Sequence, residues 1–104
     1  MNPAAAERID RLRRITAMLA PWEVLPNARG WSMGPQETVM WDWQDWYRGL
    51  TPKRREKYRQ EHPLPSWMHE EFYDMIVQSL PTRHEDDVDG SAYWNELMRQ
   101  YGVA

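Results

Sequence analysis

The chain has 104 residues and a formal net charge of −3, so it has the length of one domain with little room for a deep catalytic cavity. It contains no Cys, which excludes disulfides, thiolate metal sites and Cys nucleophiles. It contains seven Trp and a single Phe. Because each Trp can bury about 150–250 Å², these side chains offset the small size of the core.

The sequence carries no sign of a membrane or secretory segment. No stretch approaches the roughly 20 apolar residues of a membrane-spanning helix, and no basic segment precedes an apolar run at the N-terminus. We therefore expect a cytoplasmic protein that does not bind a membrane. Eleven Arg against two Lys is typical of GC-rich coding, and favours an actinobacterial or actinobacteriophage source.

The N-terminal third predicts one helix and a long loop. Apolar periodicity predicts a helix over residues 4–20 that ends at Pro21. A Pro- and Gly-rich loop follows near residues 21–35, and its apolar side chains predict that it lies against the helices. A loop of this length in a small domain is often functional. The apolar face of the helix comprises Ala5, Ile9, Leu12, Thr16 and Leu19.

Four further helices are predicted, over residues 35–49, 51–61, 66–80 and 91–101. Pro or a capping Ser or Thr stands at the start of the first three. No strand-like alternation and no internal repeat appears. The sequence therefore predicts an all-α fold, in which residues 1–104 form one compact domain of about five short helices.

The helix over residues 35–49 has an apolar face and one aromatic residue outside it. The face comprises Val39, Trp43, Trp46, Tyr47 and Leu50, and its central residues should form the core with Phe72, Ile76 and Leu97. Trp41 lies about 200° around the helix from Val39, beside Asp45 and Arg48. One alternative is that the N-terminal helix or the Pro-rich loop, with Trp22 or Trp31, covers Trp41. The other is that Trp41 anchors a partner, and that Asp45 and Arg48 form a polar rim.

The helix over residues 51–61 is basic and has almost no apolar stripe. Tyr58 is its only large apolar residue, so the cations are expected to be exposed. Together with the Arg residues of the first helix they could bind phosphate, although dedicated nucleic-acid binders are usually basic overall. The basic residues are Lys53, Arg54, Arg55, Lys57 and Arg59.

The run over residues 85–96 resembles the twelve-residue calcium loop of EF-hands. Positions three, five, six and twelve of that loop correspond to Asp87, Asp89, Gly90 and Glu96. The first position is Glu85 where Asp is expected, and Pro81 would interrupt the incoming helix. The alternative is an acidic linker in which Asp89 or Ser91 caps the last helix.

Catalytic motifs are missing from the sequence. His62, His69 and His84 do not have metal-ligand spacing. There is no Gly-rich phosphate loop, no nucleophile elbow and no carboxylate pair at acid–base spacing. We therefore expect no enzymatic activity, no catalytic residue, no metal site and no cofactor.

These features favour a non-enzymatic protein-interaction module. Its partner would be another protein, and the surplus of aromatic residues also favours self-association. From a phage or actinobacterial source it would be a small regulator, a host-directed inhibitor or an assembly factor. The alternative is a nucleic-acid-binding protein that uses the basic helix 51–61. The predicted partner-binding residues are Trp41, Asp45, Arg48, Lys53, Arg54, Arg55 and Arg59.

Overall fold

The computed structural model describes residues 3–24, 35–78 and 80–103. The all-α fold class is confirmed, since this part of the chain contains helices and no strand. None of its helices is long and apolar enough to cross a bilayer. The helices are α1 (Pro3–Arg14), α2 (Pro21–Val24), α3 (Pro35–Arg48), α4 (Pro52–Glu61), α5 (Phe72–Gln78) and α6 (Ser91–Gln100).

The first helix is shorter than predicted. It ends at Arg14, and residues 15–20 form an irregular segment in which Thr16 and Leu19 are exposed. Core side chains bind the carbonyls of this segment: Trp46 Nε1 donates to the oxygen of Ile15 (2.9 Å). Tyr58 and Arg54 bind two further carbonyls there. These tertiary hydrogen bonds occupy carbonyls of residues 15–20 and stabilise an irregular conformation, although the apolar periodicity predicts that α1 continues there.

The start of the predicted loop is helical, which adds a short helix to those predicted. Pro21 begins α2, and the Ala20 backbone N–H donates to the Glu23 carboxylate (2.8 Å), as in a capping box. Trp22 packs edge-on against the rings of Trp43 and Tyr73, at centroid distances of 5.5 and 5.6 Å. The predicted packing of the loop is therefore seen over α2, while residues 25–34 lie outside the described ranges.

The helix predicted over residues 66–80 is reduced to Phe72–Gln78. Residues 66–71 instead form turns, closed by bonds such as that from the Met68 N–H to the Pro65 carbonyl (3.0 Å). Five of these six residues are exposed, Trp67 among them, and Met68 is half-buried. Because the segment offers no buried apolar face, tertiary packing does not stabilise a helix there.

The core is built around α3, which contacts α1, α2 and α5. Trp43 is fully buried and stacks on Tyr47 and Phe72, with ring centroids 5.2 and 6.1 Å away. The predicted burial is confirmed for Trp43, Trp46, Ile76 and Leu97. Phe72 is only half-buried and Val39 is exposed, so both lie at the edge of the core.

Candidate partner-binding surface

Asp45 and Arg48, which the sequence placed on an exposed polar rim, are buried. Their exposed fractions are 2% and 3%. The Asp45 carboxylate accepts hydrogen bonds from Arg8 Nη2 (2.8 Å), from Tyr101 Oη (2.8 Å) and from Arg48 Nη2. The prediction of a rim was wrong because Arg8 of α1 and Tyr101, at the end of α6, pack against Asp45 on this face of α3.

The buried pair belongs to a larger ionic network. Asp42 accepts hydrogen bonds from Arg8 Nε (2.6 Å) and from Arg11 Nη2 (2.9 Å). Burial tends to lower the pKa of Arg8, but its bonds and charge interactions with Asp45 and Asp42 raise the pKa above its ordinary value. Three guanidinium groups face two carboxylates. Counted over the described residues, the network thus carries one net positive charge.

Only some of the hydrogen-bond donors of Arg48 are bonded within this network. Nη2 binds Asp45, whereas Nε and Nη1 are buried and have no hydrogen-bond partner in the part of the chain that the structure describes. A buried donor without an acceptor is unfavourable. Arg48 is therefore the least satisfied charged group of the α3 face.

A groove between α3 and α5 lies over Arg48. We call it the α3–α5 groove; its volume is about 240 Å³. Two of its apolar side chains are half-exposed at the rim, Met75 at 53% and Leu80 at 45%. The groove is lined by Gln44, Arg48, Phe72, Met75, Ile76 and Leu80.

Trp41 continues the same side of α3 one turn before Gln44. Its exposed fraction is 57%, so the anchor predicted from the sequence is accessible. Trp22, which the sequence offered as a cover for it, packs on Trp43 instead. Trp31, the other proposed cover, lies outside the described residues. The exposure of Met75 and Leu80 was not predicted, because both are apolar residues of the helix predicted over residues 66–80.

The basic helix exposes fewer of its cations than predicted. Lys53, Arg54 and Arg59 are exposed, but Arg55 is half-buried. Its Nη1 donates to the carbonyls of Leu50 (2.6 Å) and Arg83 (3.1 Å), and burial lowers the pKa of its guanidinium. The expectation of an exposed Arg55 was wrong because the Leu50 carbonyl, just after α3, and the Arg83 carbonyl, between α5 and α6, both lie within hydrogen-bonding distance of its guanidinium.

Two other cations of α4 have acidic neighbours. Arg59 Nη1 lies 3.3 Å from Asp74, and Lys57 Nζ lies 3.6 Å from Glu61. Among the exposed cations of α4 that the sequence proposed as site residues, Lys53 and Arg54 form no ion pair with any described residue. The charge that α4 offers to a phosphate is thus smaller than the sequence implies.

A second groove, of about 360 Å³, separates α4 from the irregular segment 15–20. Its rim carries Arg54 and Lys57 together with Glu61 and His62. His62 Nδ1 lies 2.6 Å from Glu23, and its ring stacks on Tyr58 at 4.1 Å. This rim mixes both signs of charge, which does not suit a phosphate backbone.

The acidic run predicted as a calcium loop or a helix cap forms a cap. Asp87 accepts hydrogen bonds from the backbone N–H groups of Ala92 (3.2 Å) and Tyr93 (2.9 Å), in the first turn of α6. Asp89 accepts one from Ser91 (3.0 Å), and this bond lowers the pKa of Asp89. No cluster of metal-ligating side chains occurs within the described ranges.

Arg83, which the sequence did not single out, fixes the acidic run to the end of α3. Its guanidinium donates to the carbonyls of Gly49, Asp87 and Val88, and its backbone N–H donates to that of Arg48 (2.9 Å). A single Arg between a Pro and an acidic stretch gives no sequence signal for this role. The role of Arg83 is structural, and Arg83 is not among the residues that line the α3–α5 groove.

No protein-family model matches the chain, and neither a curated protein nor a solved structure does. The function is therefore inferred from the surfaces of this molecule.

Proposed function

We propose that the chain is a non-enzymatic protein-interaction module that binds another protein through the α3–α5 groove and the adjacent Trp41. The observation that supports this proposal is the exposure of Met75 and Leu80 at the groove, with the exposed Trp41 one helical turn before Gln44 on α3. Trp and Met are enriched in protein interfaces, and clustered exposed apolar side chains mark binding surfaces. Apart from Gln44 and Arg48, the side chains that line the groove are apolar, which suits recognition of a protein segment.

Nucleic-acid binding by α4 has less support. Arg55 binds backbone carbonyls, and Arg59 and Lys57 face carboxylates. Of the α4 cations, Lys53 and Arg54 are exposed and form no ion pair among the described residues, and each phosphate contact contributes to affinity through counterion release. The protein-binding proposal is therefore the stronger of the two.

An interaction module of this kind suits the small regulator that the composition favours. If the chain comes from an actinobacterium or its phage, the partner would be a cytoplasmic host protein or an assembly component. A host-directed inhibitor needs only one such surface, because binding alone blocks the target.

The first experiment tests dependence on Trp41. Tagged wild-type protein, Trp41→Ala and Val88→Ala are used to capture partners from the source cell, and the captured protein is purified and titrated by calorimetry. Val88 is 85% exposed and lies away from the groove, so it is the matched control. We expect Trp41→Ala to weaken binding by about 2 kcal/mol or more, as at interface hot spots, and Val88→Ala to bind like wild type.

Three outcomes would contradict the proposal. Equal affinity of Trp41→Ala and wild type would remove Trp41 from the interface. A salt-sensitive mobility shift on generic DNA or RNA that is lost in Lys53→Glu/Arg54→Glu would favour the nucleic-acid alternative. Concentration-dependent sedimentation of the isolated chain, abolished by Trp41→Ala, would identify a second copy as the occupant in place of another protein.

A further inference from the structure

We propose that the α3–α5 groove recognises a C-terminal apolar residue of the partner, with its free carboxylate bound by Arg48. This inference rests on the proposed function and names the chemistry of the segment that is bound. It is carried by the buried side chain of Arg48, which lines the groove.

The first step is the state of Arg48. Its side chain is 97% buried, since 3% of it is exposed. Nη2 is bonded to Asp45, and the buried Nε and Nη1 have no acceptor among the described residues. A carboxylate is the acceptor that guanidinium binds best. A ligand that brings one would satisfy donors that are unpaired in the part of the chain that the structure describes.

The second step is the charge of the surroundings. Asp45 is shared by Arg8, Arg48 and Tyr101, and the whole network has one cation in excess. An anionic ligand would neutralise that excess, whereas a neutral carbonyl would only accept a hydrogen bond. Gln44 lines the same groove and offers an amide to the ligand backbone.

The third step is size. The groove has a volume of about 240 Å³, roughly eight times the 30 Å³ that one water occupies in the liquid. A C-terminal residue joins its side chain and its carboxylate at one Cα, so one residue fills this space. An internal acidic residue and an apolar neighbour would need two side chains, and fit it less well.

The fourth step is access. Phe72 and Ile76 form the inner wall, while Met75 and Leu80 stand half-exposed at the rim. Arg48 lines the groove together with these four residues. The Met75 side chain is unbranched and flexible, so it can turn aside to admit a carboxylate. The apolar side chain of the ligand would then contact the same rim residues.

The test uses small probes on the full chain. N-acetyl-leucine carries an apolar side chain and a free carboxylate, and N-acetyl-leucinamide is its neutral isostere. Binding is followed by the ¹H–¹⁵N resonance of the Arg48 Nε–H group. We expect the acid to shift this resonance saturably and to bind about tenfold more tightly than the amide, as for a charge-assisted bond. Equal binding of acid and amide, or an unshifted resonance, overturns the proposal.

A pair of rim variants provides a second test that leaves Arg48 unchanged. Met75→Glu places a carboxylate in the groove, and Met75→Gln is its neutral match at the same half-exposed position. We expect Met75→Glu alone to abolish binding of N-acetyl-leucine and to raise the melting temperature relative to Met75→Gln. Identical melting temperatures and identical probe binding in the two variants overturn the proposal.

The two proposals fail in different experiments. If the purified partner depends on Trp41 but binds Met75→Glu and Met75→Gln equally well, the interaction surface stands and the carboxylate specificity is overturned. If N-acetyl-leucine binds as expected but the partner does not depend on Trp41, the carboxylate site stands and the proposed interface is overturned. An internal Asp peptide that binds as well as N-acetyl-leucine overturns the assignment to a C-terminus.

Discussion

Trp43 Nε1 donates a hydrogen bond to the hydroxyl of Tyr58 across 2.9 Å, inside the core. The Tyr58 hydroxyl donates in turn to the carbonyl of Met18, across 2.8 Å. This chain of two bonds connects α3, α4 and the irregular segment after α1. One side-chain oxygen thus satisfies a buried indole and fixes a segment that the sequence would continue as helix.

Replacing Tyr58 with Phe tests this connection. Tyr58→Phe leaves the Trp43 indole N–H and the Met18 carbonyl without their partner, and we expect it to lower the free energy of unfolding by about 1–3 kcal/mol. Denaturant unfolding measures the change. Tyr101→Phe is the control, because Asp45 keeps its Arg8 and Arg48 bonds when the Tyr101 hydroxyl is lost. A smaller loss in Tyr58→Phe than in Tyr101→Phe would contradict this account.

Two Trp residues of the same helix should differ in their contribution to stability. Trp43→Ala removes a fully buried ring, and we expect a loss of about 3–5 kcal/mol. Trp41→Ala removes a ring that is more than half exposed, and we expect a change of about 0.5 kcal/mol or less. Both are measured by denaturant unfolding. A large loss in Trp41→Ala would show that Trp41 belongs to the core.

The buried half of α3 could be predicted from the sequence, whereas its opposite face could not. Helical spacing alone identifies Trp43 and Trp46 as core, because a 3.6-residue period places them on one apolar stripe. The same rule placed Asp45 and Arg48 in solvent. Charged residues are buried only when partners neutralise them, and those partners, Arg8 and Tyr101, are remote in sequence and brought together only by the fold.

The candidate site shows the same limit. The helical wheel places Trp41 outside the apolar face but leaves open whether another part of the chain covers it, and in the structure it is 57% exposed. The groove beside it depends on where α5 begins and on the depth of Arg48. Both are set by packing between helices, about which the local pattern of either helix carries no information.

The acidic run gives a prediction about α6. Asp87→Ala removes the acceptor of two backbone N–H groups in its first turn, and we expect a loss of about 0.5–2 kcal/mol. The exposed neighbour Asp86 is the control, and Asp86→Ala should change stability by about 0.5 kcal/mol or less. Thermal unfolding measures both. Because Asp87 binds backbone, added CaCl₂ should not shift the melting temperature, and a calcium-dependent rise would revive the EF-hand interpretation.

Buried tyrosines predict a loss of stability at alkaline pH. Burial raises the pKa of Tyr47 to about 12, and it also raises the pKa of Tyr58, Tyr73 and Tyr93 above the ordinary value. In the unfolded chain tyrosine ionises near pH ~10. Above that pH the unfolded state releases protons that the folded state retains, so the free energy of unfolding falls as pH rises from about 10 toward 12.

Denaturant midpoints measured across this alkaline range provide the check. The stabilisation from the four tyrosines should be complete below pH ~10. Tyr47→Phe removes one titrating group, so its midpoint should fall less steeply with pH than that of wild type. A wild-type midpoint that does not change over the range would contradict the raised pKa of these hydroxyls.

Adjacent cations of α4 give the last prediction. Arg55→Met removes hydrogen bonds to the carbonyls of Leu50 and Arg83, and we expect a loss of about 1–2 kcal/mol. Reversing the exposed Lys53 and Arg54 to Glu should change stability by about 0.5 kcal/mol or less per site. Thermal unfolding separates the structural cation from the surface cations. Once thermal unfolding shows that Lys53→Glu/Arg54→Glu is folded, its affinity for nucleic acid or for an acidic partner can be compared with that of wild type. If the variant retains full affinity, α4 is not the binding surface for that partner.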